Sequence, residues 1–148
     1  MKEERYKFIC AVYLLLIKEN QILLLKRANT GYEDGKYSLV AGHMDGNETI
    51  KQAMIREAKE EAGIIINEKD IEIATFLHRK TDPERFDFFL KCNKWDGEIT
   101  NKEPSKCSEL SWHDINRLPS NIIPYVKKAI ENYKNNITFD NFGWEAKC

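Results

Sequence analysis

The sequence predicts an α/β fold in which one mixed β-sheet carries helices on its faces. Three observations lead there. Phe8 to Ile17 (FICAVYLLLI) is apolar at odd and even positions alike, as in a strand covered on both sides. Two helical segments stand far apart in the chain, with strand-like segments before, between and after them, so both must pack onto one sheet. The length of 148 residues suits one domain with a core of its own, and residues 1–148 are read as a single unit.

The elements follow in order. Glu19-Asn20 is a turn, and Gln21 to Lys26 (QILLLK) returns as a second strand. Asn29 to Lys36 (NTGYEDGK) concentrates glycine, acid and amide residues and reads as a loop. Tyr37 to Ala41 is a short extended segment. The next span, Ile50 to Ala62, has the marks of a helix: Thr49 can cap it, Gln52 completes a capping box, and Gly63 suits the left-handed position beyond its end. Ile71 to Arg79 and Arg85 to Cys92 are strands joined by a turn at Thr81 to Glu84, and Glu109 to Trp112 adds a short one. Pro119 to Pro124 interrupts the chain before a second helix, Tyr125 to Tyr133, with Val126, Ala129 and Ile130 on one stripe. Phe86, Phe88, Phe89 and Trp95 alternate with polar residues, a packing pattern. The tail keeps Phe139, Phe142 and Trp144 among polar neighbours, so these rings are expected to dock on the body or on a second subunit.

Composition excludes several classes. With 42% hydrophobic and 32% charged residues the chain is neither disordered nor fibrous. Twenty-three Lys and Arg against 24 Asp and Glu give a net charge of −1, which offers no bulk attraction to a nucleic-acid polymer or an anionic membrane. Any polyanion must be bound locally. The four cysteines form no CxxC pair and no zinc pattern with the three histidines, so reduced thiols in the cytoplasm are expected. The apolar run at Phe8 is too short to span a bilayer.

The chemistry concentrates between Gly42 and Ile64 (GHMDGNETIKQAMIREAKEEAGI). On a helix, Glu57, Glu60 and Glu61 share one face, and two of them fall in the last turn, where the helix dipole is already negative. A divalent cation would remove that conflict. With only carboxylate oxygens available the ion should be hard, Mg²⁺ first and Mn²⁺ second. A solvated acidic helix face accounts for the three glutamates equally well.

The whole segment resembles the Nudix box. Gly42, then Glu48 after five residues, then Arg56-Glu57-Ala58-Lys59-Glu60-Glu61-Ala62-Gly63-Ile64 after seven more fill every fixed position of G-x5-E-x7-R-E-U-x-E-E-x-G-U, with Ala58 and Ile64 at its apolar sites. The resemblance extends to Asn20 to Ala28, like the strand entering the site in the mutator-type branch, and to Trp95 to Glu103, like a later loop of that branch. It implies a Nudix α/β/α sandwich with a mixed central β-sheet and metal-dependent hydrolysis of a nucleoside diphosphate linked to another group.

It also implies roles. Glu57 and Glu61 are the first metal ligands, and Glu60 is a further ligand or the catalytic base. Glu103 competes for the base, as it would stand in a mobile loop with fewer fixed cationic neighbours. Arg56 would orient Glu60, its i, i+4 partner, and Glu48 would anchor the loop through Arg56. Ala41 stands where the family often has glycine and would offer its carbonyl to the metal. Arg27 would contact phosphate. Arg79 and Arg85, flanking a turn, are candidate substrate contacts or plain solvated charges.

The leading expectation is a Mg²⁺-dependent pyrophosphohydrolase of a small nucleotide, acting as monomer or homodimer in the cytoplasm. A proline soon after the box would point to ADP-ribose, but Pro83 lies late, and no coenzyme A signature precedes the box. By default this favours a nucleoside triphosphate, including oxidised or non-standard ones. The alternative is a non-catalytic Nudix-fold module that binds a nucleotide or a partner, which would have no need of repelling glutamates. RNA-cap removal would need a long basic path that a near-neutral chain lacks.

Overall fold

The first strand organises the molecule. In a computed structural model describing residues 3–145, β1 (Ile9–Lys18) alternates strictly between two cores. Ala11, Tyr13, Leu15 and Ile17 enter one hydrophobic cluster, and Val12, Leu14 and Leu16 enter the other. That is why its sequence is apolar throughout: each face is covered by a different helix. Helix α1 (Ile50–Ala62) seals the second cluster with Ala53, Met54, Ala58 and Ala62, and α2 (Pro124–Lys134) seals the first with Tyr125, Val126, Ala129 and Ile130. The result is the expected α/β/α sandwich.

The sheet is mixed. β2 (Gln21–Arg27), β3 (Tyr37–Ser38), β4 (Ala41–His43), β5 (Glu72–Arg79), β6 (Arg85–Cys92), β7 (Cys107–Asp114) and β8 (Phe139–Phe142) complete eight strands, with the path β3-β2-β1-β6-β5-β8. β1 pairs in parallel with β6 and β5 with β8, and the other pairings are antiparallel. One edge of β1 forks: its end makes the hairpin with β2 at Ile17 and Lys18, whereas Ala11 to Tyr13 pair with β4. The fork sets β4 and the end of β2 on either side of a cleft, and α1 follows β4 directly.

Helix α1 begins and ends as its sequence dictates. Thr49 and Gln52 make a reciprocal capping box, and Gly63 closes the helix at φ 69° with its N–H donating to the Lys59 carbonyl. Two further C-terminal carbonyls are taken by the segment after β6, where Thr100 N–H donates to Ala62 O (2.9 Å) and Lys102 N–H to Glu61 O (3.1 Å). The loop bearing Glu103, expected to be mobile, is therefore tied to the helix bearing Glu57 and Glu61. β7 runs longer than the four residues read from sequence because pairing with β2 continues from Gln21 to Arg27.

The aromatic tail docks on the body. β8 adds to β5 as an edge strand, Phe139 packs on Phe76, and the Trp144 indole N–H donates to the His78 carbonyl at 2.9 Å.

Arg79 departs from expectation. It is not a turn charge reaching toward substrate but a side chain 5% exposed in the α2-side core. Its Nε donates to Asp87 at 2.6 Å, and the guanidinium lies 3.6 Å from the Tyr125 ring centroid. The alternation of β5 decides this: Arg79 shares the face of Leu77, which points into the core beneath α2. Removing one partner of a buried pair strands the other charge, at about 3–5 kcal/mol. Asp87→Ala is expected to lower the urea midpoint by an amount matching that loss, with an unchanged denaturant slope.

Candidate active site

The glutamates of α1 divide into those inside a cavity and one outside. A cavity of about 370 Å³ is lined by Glu57, Glu61 and Glu103, with Arg27, Thr30, Lys106, Ala41 and His43 around them. Glu57 and Glu61 are one helical turn apart and face β4, whereas Glu60 points away and its side chain is 52% exposed. Glu103 arrives from the tied loop across the cleft. Helix and loop thus aim three carboxylates at one space.

Arg56 holds the outer side of this cluster, but not in the way its spacing suggested. Its Nε and Nη2 donate to both oxygens of Glu48 at 3.0 and 2.7 Å, and its Nη1 donates to Glu57 at 2.6 Å. Glu60, the i, i+4 partner, stands farther off at 3.5 Å. Arg56 therefore positions Glu57, with Glu48 as its anchor. The expected link from Glu48 to Arg56 is present, and the orientation of Glu60 is replaced by that of Glu57. The bidentate pairing lowers the Glu48 pKa and raises that of Arg56, keeping both charged.

Gly42 explains its own place in the motif. A Cβ built there would lie 2.1 Å from the Glu57 carboxyl carbon, so the carboxylate rests on bare backbone. On the next residue back, the Ala41 N–H donates to Glu61 Oε1 at 2.9 Å. β4 thus seats both carboxylates of the helix.

The site is electrostatically strained. Glu61 is pushed up to about 8, chiefly by burial and further by the nearby charges of Glu57 and Glu103, against the Ala41 N–H and Arg27, which lower it. Glu57 is also raised, by burial first, although Arg56 opposes the shift. Among the described residues no three His, Cys, Asp or Glu side chains are closed to coordination spacing, since Glu57 turns to Arg56 and Glu61 to Ala41. Hard carboxylate donors converging in one cavity, two of them with raised pKa, nevertheless fit a divalent cation. Glu57, Glu61 and Glu103 are the residues that would hold it. An ion of that charge offsets the repulsion that burial amplifies.

Beside this cavity lies a second of about 360 Å³, lined by Tyr13, Tyr32, Tyr125, Ser38 and Arg85. The two share Arg27, Ala41 and His43 in their walls. Arg27 sits between them. Its Nε donates to the Tyr32 carbonyl (2.7 Å) and its Nη2 to Thr30 (3.1 Å). Arg85, read from sequence as a candidate substrate contact or a solvated charge, lines the second cavity, with its Nη2 donating to His43 Nε2 at 2.7 Å. The tyrosines were not recognised from sequence. Tyr13 lies in an apolar strand and Tyr32 in a polar loop, and only the fork in β1 brings them to one cleft.

An α/β/α sandwich with a carboxylate-lined cleft along the last turns of its first helix fits a hydrolase of phosphoanhydrides, and comparison with known proteins agrees. The NUDIX domain model matches residues 7–134. An ADP-ribose pyrophosphatase of Methanocaldococcus jannaschii is 30% identical over 125 residues, 83% of this chain and 71% of that protein. An 8-oxo-dGTP diphosphatase of Proteus vulgaris is 26% identical over 102 residues, 69% of this chain and 90% of that protein. Among solved structures, a MutT Nudix hydrolase from Burkholderia pseudomallei superposes with a TM-score of 0.77 at 22% identity, covering 84% of this chain and 97% of its own. The chain belongs to the Nudix family, as a hydrolase acting on pyrophosphate bonds.

Two outcomes follow from the geometry. Gly42→Ala should displace the Glu57 carboxylate and cut turnover at least tenfold. Because only a flexible carboxylate must move, the melting temperature without metal should fall by no more than a few degrees, at about 2–4 °C per kcal/mol for a chain this size. The second concerns pH. A carboxyl whose folded pKa is raised contributes stability at acid pH that is lost as pH rises through the folded value. Without divalent ions, stability should therefore fall between about pH 5 and 8, a range set by the raised Glu61, and Glu61→Gln should flatten the slope in urea titrations at several pH values.

Proposed function

We propose that this chain is a Mg²⁺-dependent pyrophosphohydrolase of nucleoside triphosphates, including oxidised or non-standard ones, with Mn²⁺ as a substitute ion. The observation that carries the reading is the pair of adjoining cavities. One offers three carboxylates beside Arg27 and Lys106, suited to an ion and phosphates, and the other offers tyrosines and Arg85, suited to a single nucleoside. About 360 Å³ is near the lower end for a small-molecule site, which favours one nucleoside over a larger second half.

The roles follow from position. Glu57, Glu61 and Glu103 would hold the ion, with the Ala41 carbonyl as a further donor. A bound Mg²⁺ neutralises phosphate charge and lowers the pKa of a coordinated water. Arg27, at the junction of the cavities, would bind phosphate and Arg85 the nucleoside. Glu103 is the better candidate for the base, because it lines the cavity while Glu60 stands largely in solvent. Glu60 would then act as an outer ligand. Free Cys10, Cys92 and Cys107 are consistent with work in the cytoplasm, as monomer or homodimer, on a small nucleotide rather than a nucleic-acid polymer or a membrane.

A second reading, ADP-ribose, is favoured by the 30% identity to the archaeal ADP-ribose pyrophosphatase. Phosphate release across nucleoside triphosphates, dinucleoside polyphosphates, ADP-ribose and sugar nucleotides separates the two. Activity on none of them with either ion would favour a non-catalytic module instead.

Metal binding should raise the melting temperature of the native protein, and far less that of the Glu57→Gln/Glu61→Gln double variant. Equal responses would remove these residues as ligands. For the base, Glu103→Gln should lower the rate at saturating Mg²⁺ by about 10²- to 10⁴-fold. Glu60→Gln should mainly raise the Mg²⁺ needed for half-activity. Near-native turnover of Glu103→Gln at saturation would transfer the base role to Glu60.

A further inference from the structure

We propose that Asp34 is a positioning residue of the site: through the Thr30 hydroxyl it holds the Arg27 guanidinium in the pose that binds phosphate. The inference rests on the reading of Arg27 as the phosphate arm and extends it to a residue outside both cavities.

Arg27 is held from behind by the loop that follows it. Its Nε donates to the Tyr32 carbonyl at 2.7 Å and its Nη2 to Thr30 Oγ1 at 3.1 Å. The guanidinium carbon lies 5.2 Å from the Tyr32 ring centroid. A guanidinium has five N–H donors. Among the described residues two are spent on this loop, and three remain for a ligand at the wall that both cavities share.

What Thr30 offers to Arg27 depends on where its single hydroxyl proton goes. Arg27 Nη2 and the Tyr32 N–H, both 3.1 Å from Oγ1, can only donate to it. Asp34 Oδ1 at 2.5 Å and the Tyr32 carbonyl at 2.9 Å can only accept. The charged and nearer acceptor, Asp34, takes the proton. Both lone pairs then face the two donors, of which one is Arg27. The same carboxylate accepts the Thr30 and Gly31 N–H groups at 3.1 and 2.9 Å, which fixes the residue that carries the hydroxyl. These donors, the Thr30 hydroxyl first, hold the Asp34 carboxyl below the usual carboxylate range, so it stays an acceptor at neutral pH.

The loop stays on the body without Asp34. Asn29 Nδ2 donates to the Ser105 carbonyl and Asn121 Nδ2 to the Gly35 carbonyl, each at 3.0 Å. The Gly35 N–H donates to the Arg27 carbonyl at 2.7 Å. Those contacts anchor both ends. Asp34 acts on the middle, where the groups that hold Arg27 lie, and it lines neither cavity itself.

The test is a double-mutant cycle on dGTP hydrolysis with saturating Mg²⁺. Asp34→Ala should lower kcat/KM about tenfold in the native background and by no more than about twofold in Arg27→Ala, where nothing is left to position. Independently of turnover, the Arg27 Nε–H should exchange with solvent about tenfold faster in Asp34→Ala, read by NMR with the signal assigned from its loss in Arg27→Lys. Thr30→Val should reproduce both effects, and Thr30→Ser, which keeps the hydroxyl, should show neither. That pair decides should Asp34→Ala not fold. Equal losses in the two backgrounds, or an unchanged Nε–H exchange, overturn the positioning role and leave the nucleotide reading standing. Should ADP-ribose be cleaved and dGTP not, the nucleoside triphosphate reading falls, and the same cycle on ADP-ribose, which also carries phosphates, decides the role of Asp34. Cleavage of neither overturns both.

Discussion

The seating of Glu57 on the backbone of Gly42 is the contact from which the site is built. A carboxylate can lie against β4 there only because residue 42 has no Cβ. That close approach brings α1 down on the sheet, lets Glu61 accept the Ala41 N–H one residue earlier, and puts Glu57 within 2.6 Å of Arg56. Strand and helix are joined through the carboxylates that line the cavity. Precision at the site therefore does not depend on a flexible loop.

The arrangement holds negative charge where it is least comfortable. Three carboxylates converge in one cavity, two of them on the last turns of a helix, and of the three Glu57 is the one in direct contact with a guanidinium. Burial makes the conflict worse for Glu61 than for any other acid with a resolved shift. A divalent cation held by these carboxylates would relieve that strain. The capping box at Thr49, the αL turn at Gly63 and the loop N–H groups on the Glu61 and Ala62 carbonyls stabilise a helix whose last turns are electrostatically unfavourable.

The arginines show how much a tertiary environment can alter one side chain. Arg79 and Arg85 flank the same turn and look equivalent in the sequence. Both face the α2 side, but Arg79 lies farther under α2, stacked on Tyr125 and paired with Asp87, while Arg85 opens on the cavity. Arg27, a strand-end charge by sequence, becomes the wall between two cavities because β2 bulges at Lys26/Arg27 and the following loop folds back on its guanidinium.

By itself the sequence determined what depends on local or fixed spacing. The ends of α1, the covered strand β1, the boundaries of β6 and the box from Gly42 to Ile64 were all legible, because capping chemistry, alternation and helical periodicity act over a few residues. Tertiary structure decided what depends on partners far apart in the chain. That Arg56 positions Glu57 rather than Glu60, that Glu103 stands in a tied loop, that Arg79 is buried, and that Tyr13, Tyr32 and Tyr125 share one cavity all follow from the fork of β1 and the packing of two helices. An i, i+4 rule names the neighbours a side chain can reach. Here it names Glu60, but Glu48 fixes the guanidinium of Arg56 and Gly42 leaves room for the carboxylate of Glu57, so Glu57 becomes the closer partner.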